Sequence, residues 1–183
     1  LGNGEKDPYK LIMQNDQRGS IKLTKRFYQA TTSGMTQSTD QDLTASFDLY
    51  YVDGSGKPVK FNNDAYTVAA GKTITISDLP RTGEDEVSRN YYLVETTSKE
   101  GYEASDTVTG TNDGKWTTLE INGKVTKAFG PFNFAEEITD KNQIELEQSA
   151  TISNVEQKVP VVVKKINSYT KEFVPGAEYT IYE

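Results

Sequence analysis

Apolar and polar residues alternate along most of this chain with a period of two, the pattern of strands that bury one face. In GSIKLTKRFY (19–28), Ile21, Leu23 and Lys25 fall on one face and Lys22 on the other. Phe47, Leu49 and Tyr51 repeat this in SFDLYYV, and DGSGKP then supplies a turn. TITIS (73–77) is a further strand closed by DLP, and Tyr91–Val94 is apolar on both faces before Glu95 follows. Thr107–Val108 precedes a TNDG turn. Trp116–Ile121 and Val125–Phe129 flank Asn122-Gly123, a strong two-residue hairpin signal. Phe132–Phe134, Ile144–Leu146 and Ala150–Val155 complete the set, with Tyr9–Met13 as a leading strand. Only AEEITDKNQ (135–143) reads as a short helix. Short strands at regular spacing between Gly, Asn and Pro turns predict an all-β, Ig-like or prealbumin-like antiparallel sandwich.

Composition narrows the chemistry. The 183 residues suffice for one sizeable domain or two small ones. With 27 acidic and 20 basic residues the net charge is −7, which argues against nucleic acid or an anionic membrane as partner. The chain has no His, so the commonest general base and metal ligand is missing. It has no Cys, so disulfides and thiolate chemistry are missing too. No apolar run is long enough for a membrane helix. Leu1 opens no signal-peptide pattern, and the chain is expected to be a mature fragment of something larger. The turns at 53–56 and 111–114 lack the alternating oxygen ligands of a calcium loop. Glu136 with Glu137, or Asp42 with Asp48, read as solvated acids rather than a hydrolytic pair, so no enzyme, metal or cofactor is expected.

An internal echo divides the chain. VPVVVKKINSYTKEFVPGAEYTIYE (159–183) repeats the order of GSIKLTKRF and SFDLYYV: an apolar strand ending in Lys, a polar connection, an aromatic strand. Val161, Val163 and Lys165 share a face as Ile21, Leu23 and Lys25 do. The expected organisation is a linker with a leading strand (1–18), one complete unit (19–156) and the first two strands of a second (159–183).

Several of these stretches resemble one family, the collagen-adhesin B-type (Cna-B) domains, which are stalk modules of Gram-positive surface proteins and pilins. GSIKLTK is similar to the family's first strand with its lysine. ISDLP followed by YYLVETTSKEGY resembles its Leu-Pro turn, Glu-Thr strand and Gly-Tyr close. ATISN resembles its last strand, ending in Asn, and PGAEYTIYE the second strand of a following repeat. The first unit departs from the pattern in lacking Gly-Ala before SFDLYY and in carrying TGEDEVS before Arg89. Residues 103–148 hold no motif of the family, so strand order there stays open.

The resemblance implies an intramolecular isopeptide bond between Lys25 and Asn154, assisted by Glu95, with Lys165 as the matching lysine of the second unit. The residues suit the reaction. Burial disfavours the ammonium and frees an amine to attack, while a buried carboxylic acid favours its neutral form. In that form Glu95 is expected to donate to the Asn154 carbonyl oxygen and to shuttle protons as ammonia departs. Folding makes the amide exchange intramolecular. This is a single-turnover self-modification needing no cofactor. Parity favours Lys25 over Lys22 but leaves the face of Glu95 open, since Tyr92 and Val94 are apolar as well. Asn154 also fits an ordinary strand end; Asn142 and Asn167 do not end the last strand of the first unit.

The function that follows from the resemblance is a structural stalk module of a surface adhesin or pilin, extracellular and anchored to the cell wall. Its partners would be neighbouring domains, host extracellular matrix or other pilin subunits, without direct membrane insertion. The alternative is a ligand-binding adhesin domain that uses 103–148 as its surface, with Trp116, Phe129, Phe132 and Phe134 as exposed anchors.

Overall fold

Every second residue of β1 (Arg18–Thr31) is buried from Gly19 to Phe27, so the alternation of apolar positions becomes one inward face carrying Ile21, Leu23, Lys25 and Phe27. The computed structural model describes residues 18–31, 33–52, 54–83, 87–105, 115–134, 146–157 and 165–176. Expectations at Tyr9–Met13, Thr107–Val108 and 135–143 lie outside the described residues.

The remaining strands are β2 (Gly34–Ser38), β3 (Thr44–Val52), β4 (Pro58–Lys60), β5 (Tyr66–Ala69), β6 (Thr73–Pro80), β7 (Asn90–Ser98), β8 (Tyr102–Ser105), β9 (Trp116–Ile121), β10 (Lys124–Asn133) and β11 (Glu147–Glu156). They form an all-β two-sheet sandwich. One sheet runs β2-β1-β11-β8, with β6 also paired to β1; the other runs β4-β3-β7-β10-β9, with β5 also paired to β3. Segment 103–148 is therefore no appendage, because its described strands contribute to both sheets.

Among the described strands the antiparallel expectation holds for every pairing but one. β1 and β11 run parallel, with Lys25 opposite Ile152 and Phe27 opposite Asn154. Parallel neighbours cannot be joined by a tight turn, and here almost the whole sandwich lies between them in sequence. The Asn122-Gly123 turn forms as predicted. Both residues have positive φ, 53° and 77°, which matches the twist of the strands it joins.

Between the sheets lies an apolar core that includes Ile21, Leu23, Phe47, Leu49, Tyr91, Leu93, Phe129, Phe132, Phe134 and Ile152. The Tyr91 hydroxyl, at the core's edge, donates to the Pro80 carbonyl at 2.6 Å and ties the two sheets together. Among the described residues three polar side chains besides Ser38 are buried, namely Lys25, Ser153 and Asn154, and two of them sit side by side.

Candidate functional site: a lysine, an acid and an amide between the sheets

Lys25 and Asn154 come from the adjacent parallel strands β1 and β11, and Glu95 faces them from β7 in the opposite sheet. Lys25 and Asn154 are fully buried, whereas the Glu95 side chain keeps 12 % of its exposure. Tyr91, Leu93 and Glu95 point inward, which resolves the face that parity left open. The Lys25 ammonium nitrogen Nζ donates to Asn154 Oδ1 and to Glu95 Oε2, the latter at 3.3 Å. Asn154 Nδ2 donates to Glu95 Oε1 at 2.6 Å and to Ser98 Oγ at 2.6 Å.

The structure corrects one detail of the sequence-based expectation. Glu95 meets the amide nitrogen of Asn154, not its carbonyl oxygen. The lysine, a donor only, takes the carbonyl oxygen, so the acceptor oxygens of Glu95 pair with the NH₂ group. One carboxyl group thus touches both the nucleophile and the group that would leave.

Two aromatic rings enclose the lysine. Nζ lies 5.0 Å from the Phe27 ring centroid and 5.5 Å from that of Phe47, and Tyr102 packs edge-on against Phe27. Burial in this apolar surrounding pushes the Lys25 pKa down from 10.5 to about 8, partly offset by the charge of Glu95 and its hydrogen bond. About a tenth of the amine is then neutral at pH 7, a fraction several hundred times that of an exposed lysine.

Ser98 escaped sequence reasoning for a clear reason. Three positions after Glu95, it belongs on the opposite face of a regular strand. The pairing of β3 with β7 slips by one residue: Phe47 opposes Glu95, but Ser46 opposes Thr97. The bulge at Thr96 restores Ser98 to the inward side, leaving Thr96 and Thr97 both exposed. An open cleft of about 240 Å³ adjoins this point, lined in part by Glu95, Ser98, Glu103, Trp116 and Lys127.

The other candidates fall elsewhere. Lys165 is exposed, next to a turn closed by a bridge between Ile166 and Phe173, and among the described residues it meets no carboxylate. Asn167 caps that turn, its side-chain oxygen accepting from the backbone nitrogens of Tyr169 and Thr170. Lys22 points outward and pairs with Glu147 at 2.6 Å. Asn142 lies outside the described residues. Of the four aromatics considered as ligand anchors, Phe129, Phe132 and Phe134 are fully buried and Trp116 is half-buried against Phe129.

No protein-family model matches the chain, and no curated protein matches it. A solved structure of a pilus-presented adhesin, Cpa, matches with 15% sequence identity and a TM-score of 0.33. The match covers 76% of this chain and 28% of that one, so the chain spans under a third of the length of the adhesin it resembles.

Proposed function

We propose that this chain is a structural stalk module of a Gram-positive surface adhesin or pilus, strengthened by an isopeptide bond that it forms between its own Lys25 and Asn154. The carrying observation is the buried contact of Lys25 Nζ with the Asn154 carboxamide, with Glu95 bridging nucleophile and leaving group. In the reaction the Nζ–Cγ bond forms and the Cγ–Nδ2 bond breaks. One proton passes from Nζ to the Glu95 carboxyl and one from that carboxyl to Nδ2, which departs as ammonia. Glu95 ends as it began. The buried site supplies a partly neutral amine, and folding supplies the proximity.

The topology gives the bond its mechanical sense. Because β1 and β11 are parallel neighbours, tension between the start of β1 and the end of β11 shears them past one another. A bond from Lys25 to Asn154, 129 positions apart, carries that load directly and bypasses the chain between them. The extracellular, wall-anchored location and the neighbouring-domain partners belong to the same proposal.

Intact-mass measurement of the folded protein tests it. The wild type is expected one ammonia lighter than its sequence mass, and Lys25→Ala, Glu95→Ala and Asn154→Ala are each expected at full mass. An unmodified wild type would remove the cross-link from the account.

A further inference from the structure

We propose that Ser98 positions the Asn154 amide for cross-linking, holding its nitrogen towards the open cleft by which ammonia leaves. This deepens the cross-linking reading above and rests on it. Both hydrogens of the amide nitrogen are accounted for, one accepted by Glu95 Oε1 and one by Ser98 Oγ, each at 2.6 Å. A carboxamide is planar, so fixing both N–H groups also fixes the plane of the carbonyl that Lys25 must approach. The two acceptors lie three residues apart on β7 and face the same way only because of the bulge at Thr96. Both also line the cleft, whereas Lys25 does not and is fully buried beside Phe27 and Phe47. The arrangement has a direction: the nucleophile is held beside the phenyl rings, and the two acceptors that hold the buried leaving nitrogen border the cleft.

Ser98 exchanges no atoms in the step. Its hydroxyl accepts a hydrogen bond from Nδ2 in the starting amide. As that nitrogen becomes tetrahedral its lone pair is no longer shared with the carbonyl, and the same hydroxyl is free to rotate and donate to it until the Glu95 proton arrives. Removing the hydroxyl leaves one amide N–H without its partner in a partly buried site and frees the carboxamide to turn.

The test follows the loss of ammonia over time by intact mass, using full-length chain released from cell-free synthesis. Four proteins are compared: wild type, Ser98→Ala, Ser98→Cys and Ser98→Thr. Ser98→Ala is expected to slow the reaction about tenfold, the size of one lost hydrogen bond, while reaching the same final mass. Ser98→Cys, which refills the volume with a weak acceptor, is expected to be as slow. Ser98→Thr is expected within about twofold of wild type, since the hydroxyl is kept. The pH at which the rate levels off should not move in any of them, because Lys25 sets it. Wild-type rates for Ser98→Ala and Ser98→Cys would overturn the role of Ser98 while leaving the cross-link standing. A shifted pH profile would overturn it as well, by tracing the slowing to the lysine's surroundings. A wild type that never loses ammonia would overturn the cross-link itself, and this role with it.

Discussion

Lys25 is buried beside two phenyl rings, and that placement sets when it reacts. The attacking species is the deprotonated amine, whose pKa burial lowers to about 8 against the pull of Glu95. The cross-linking rate is therefore expected to rise about tenfold per pH unit below pH 8 and to level off above it. A rate still climbing at pH 10, measured by time-resolved intact mass, would mean the lysine is not desolvated. Stability carries the same signature in an Asn154→Ala protein, which cannot cross-link. Burial that lowers the wild-type lysine pKa to about 8 is expected to act in the variant too, so between about pH 8 and 10.5 the unfolded chain binds more protons than the folded one. Its thermal midpoint should then rise with pH across that window, and a falling midpoint would contradict the burial argument. Lys25 itself was legible from parity with Ile21 and Leu23. Glu95 was legible as chemistry but not as orientation, because apolar residues on both faces of β7 erase the alternation that would assign it. Ser98 was not legible at all, since its direction depends on a one-residue slip against β3 that no local pattern encodes.

Among the strands, those with apolar alternation, an apolar run or a firm turn declared themselves: β1, β3, β6, β7, the β9–β10 hairpin and β11. β2, β4, β5 and β8 did not. They are three to five residues long and largely polar or half-exposed, and they pair along strands whose own pattern dominates. Nor does any local signal announce the parallel pairing of β1 with β11, which joins opposite ends of the sandwich. β10 shows how closely neighbouring strands of one sheet are fitted. Gly130 sits at φ 149°, and a Cβ there would lie 2.6 Å from the Tyr91 carbonyl oxygen of β7. Backbone cannot yield as a flexible side chain does, and L-residues rarely adopt that φ. Gly130→Ala is expected to cost about 3 kcal/mol in a denaturant melt. A loss below about 0.5 kcal/mol would show that β7 and β10 are not packed this closely.

For the sandwich as a unit, the cross-link acts on the unfolded chain as much as on the folded one. Tying Lys25 to Asn154 closes a span of 129 positions, and loop-closure entropy puts the gain at about 5 kcal/mol by analogy with disulfides. Asn154→Ala should lower the thermal midpoint by on the order of 10–20 °C for a domain of this size. An unchanged midpoint would show that the bond, if present, does not hold the fold together. Mass loss by itself has a second chemical source, because an asparagine that cyclises to a succinimide also sheds ammonia. The most direct measurement is therefore tandem mass spectrometry of a protease digest of the folded protein. One branched peptide is expected, with the Lys25 segment joined through Nζ to the side chain of Asn154, and none in Glu95→Ala. Separate, unmodified Lys25 and Asn154 peptides from the wild type would contradict it.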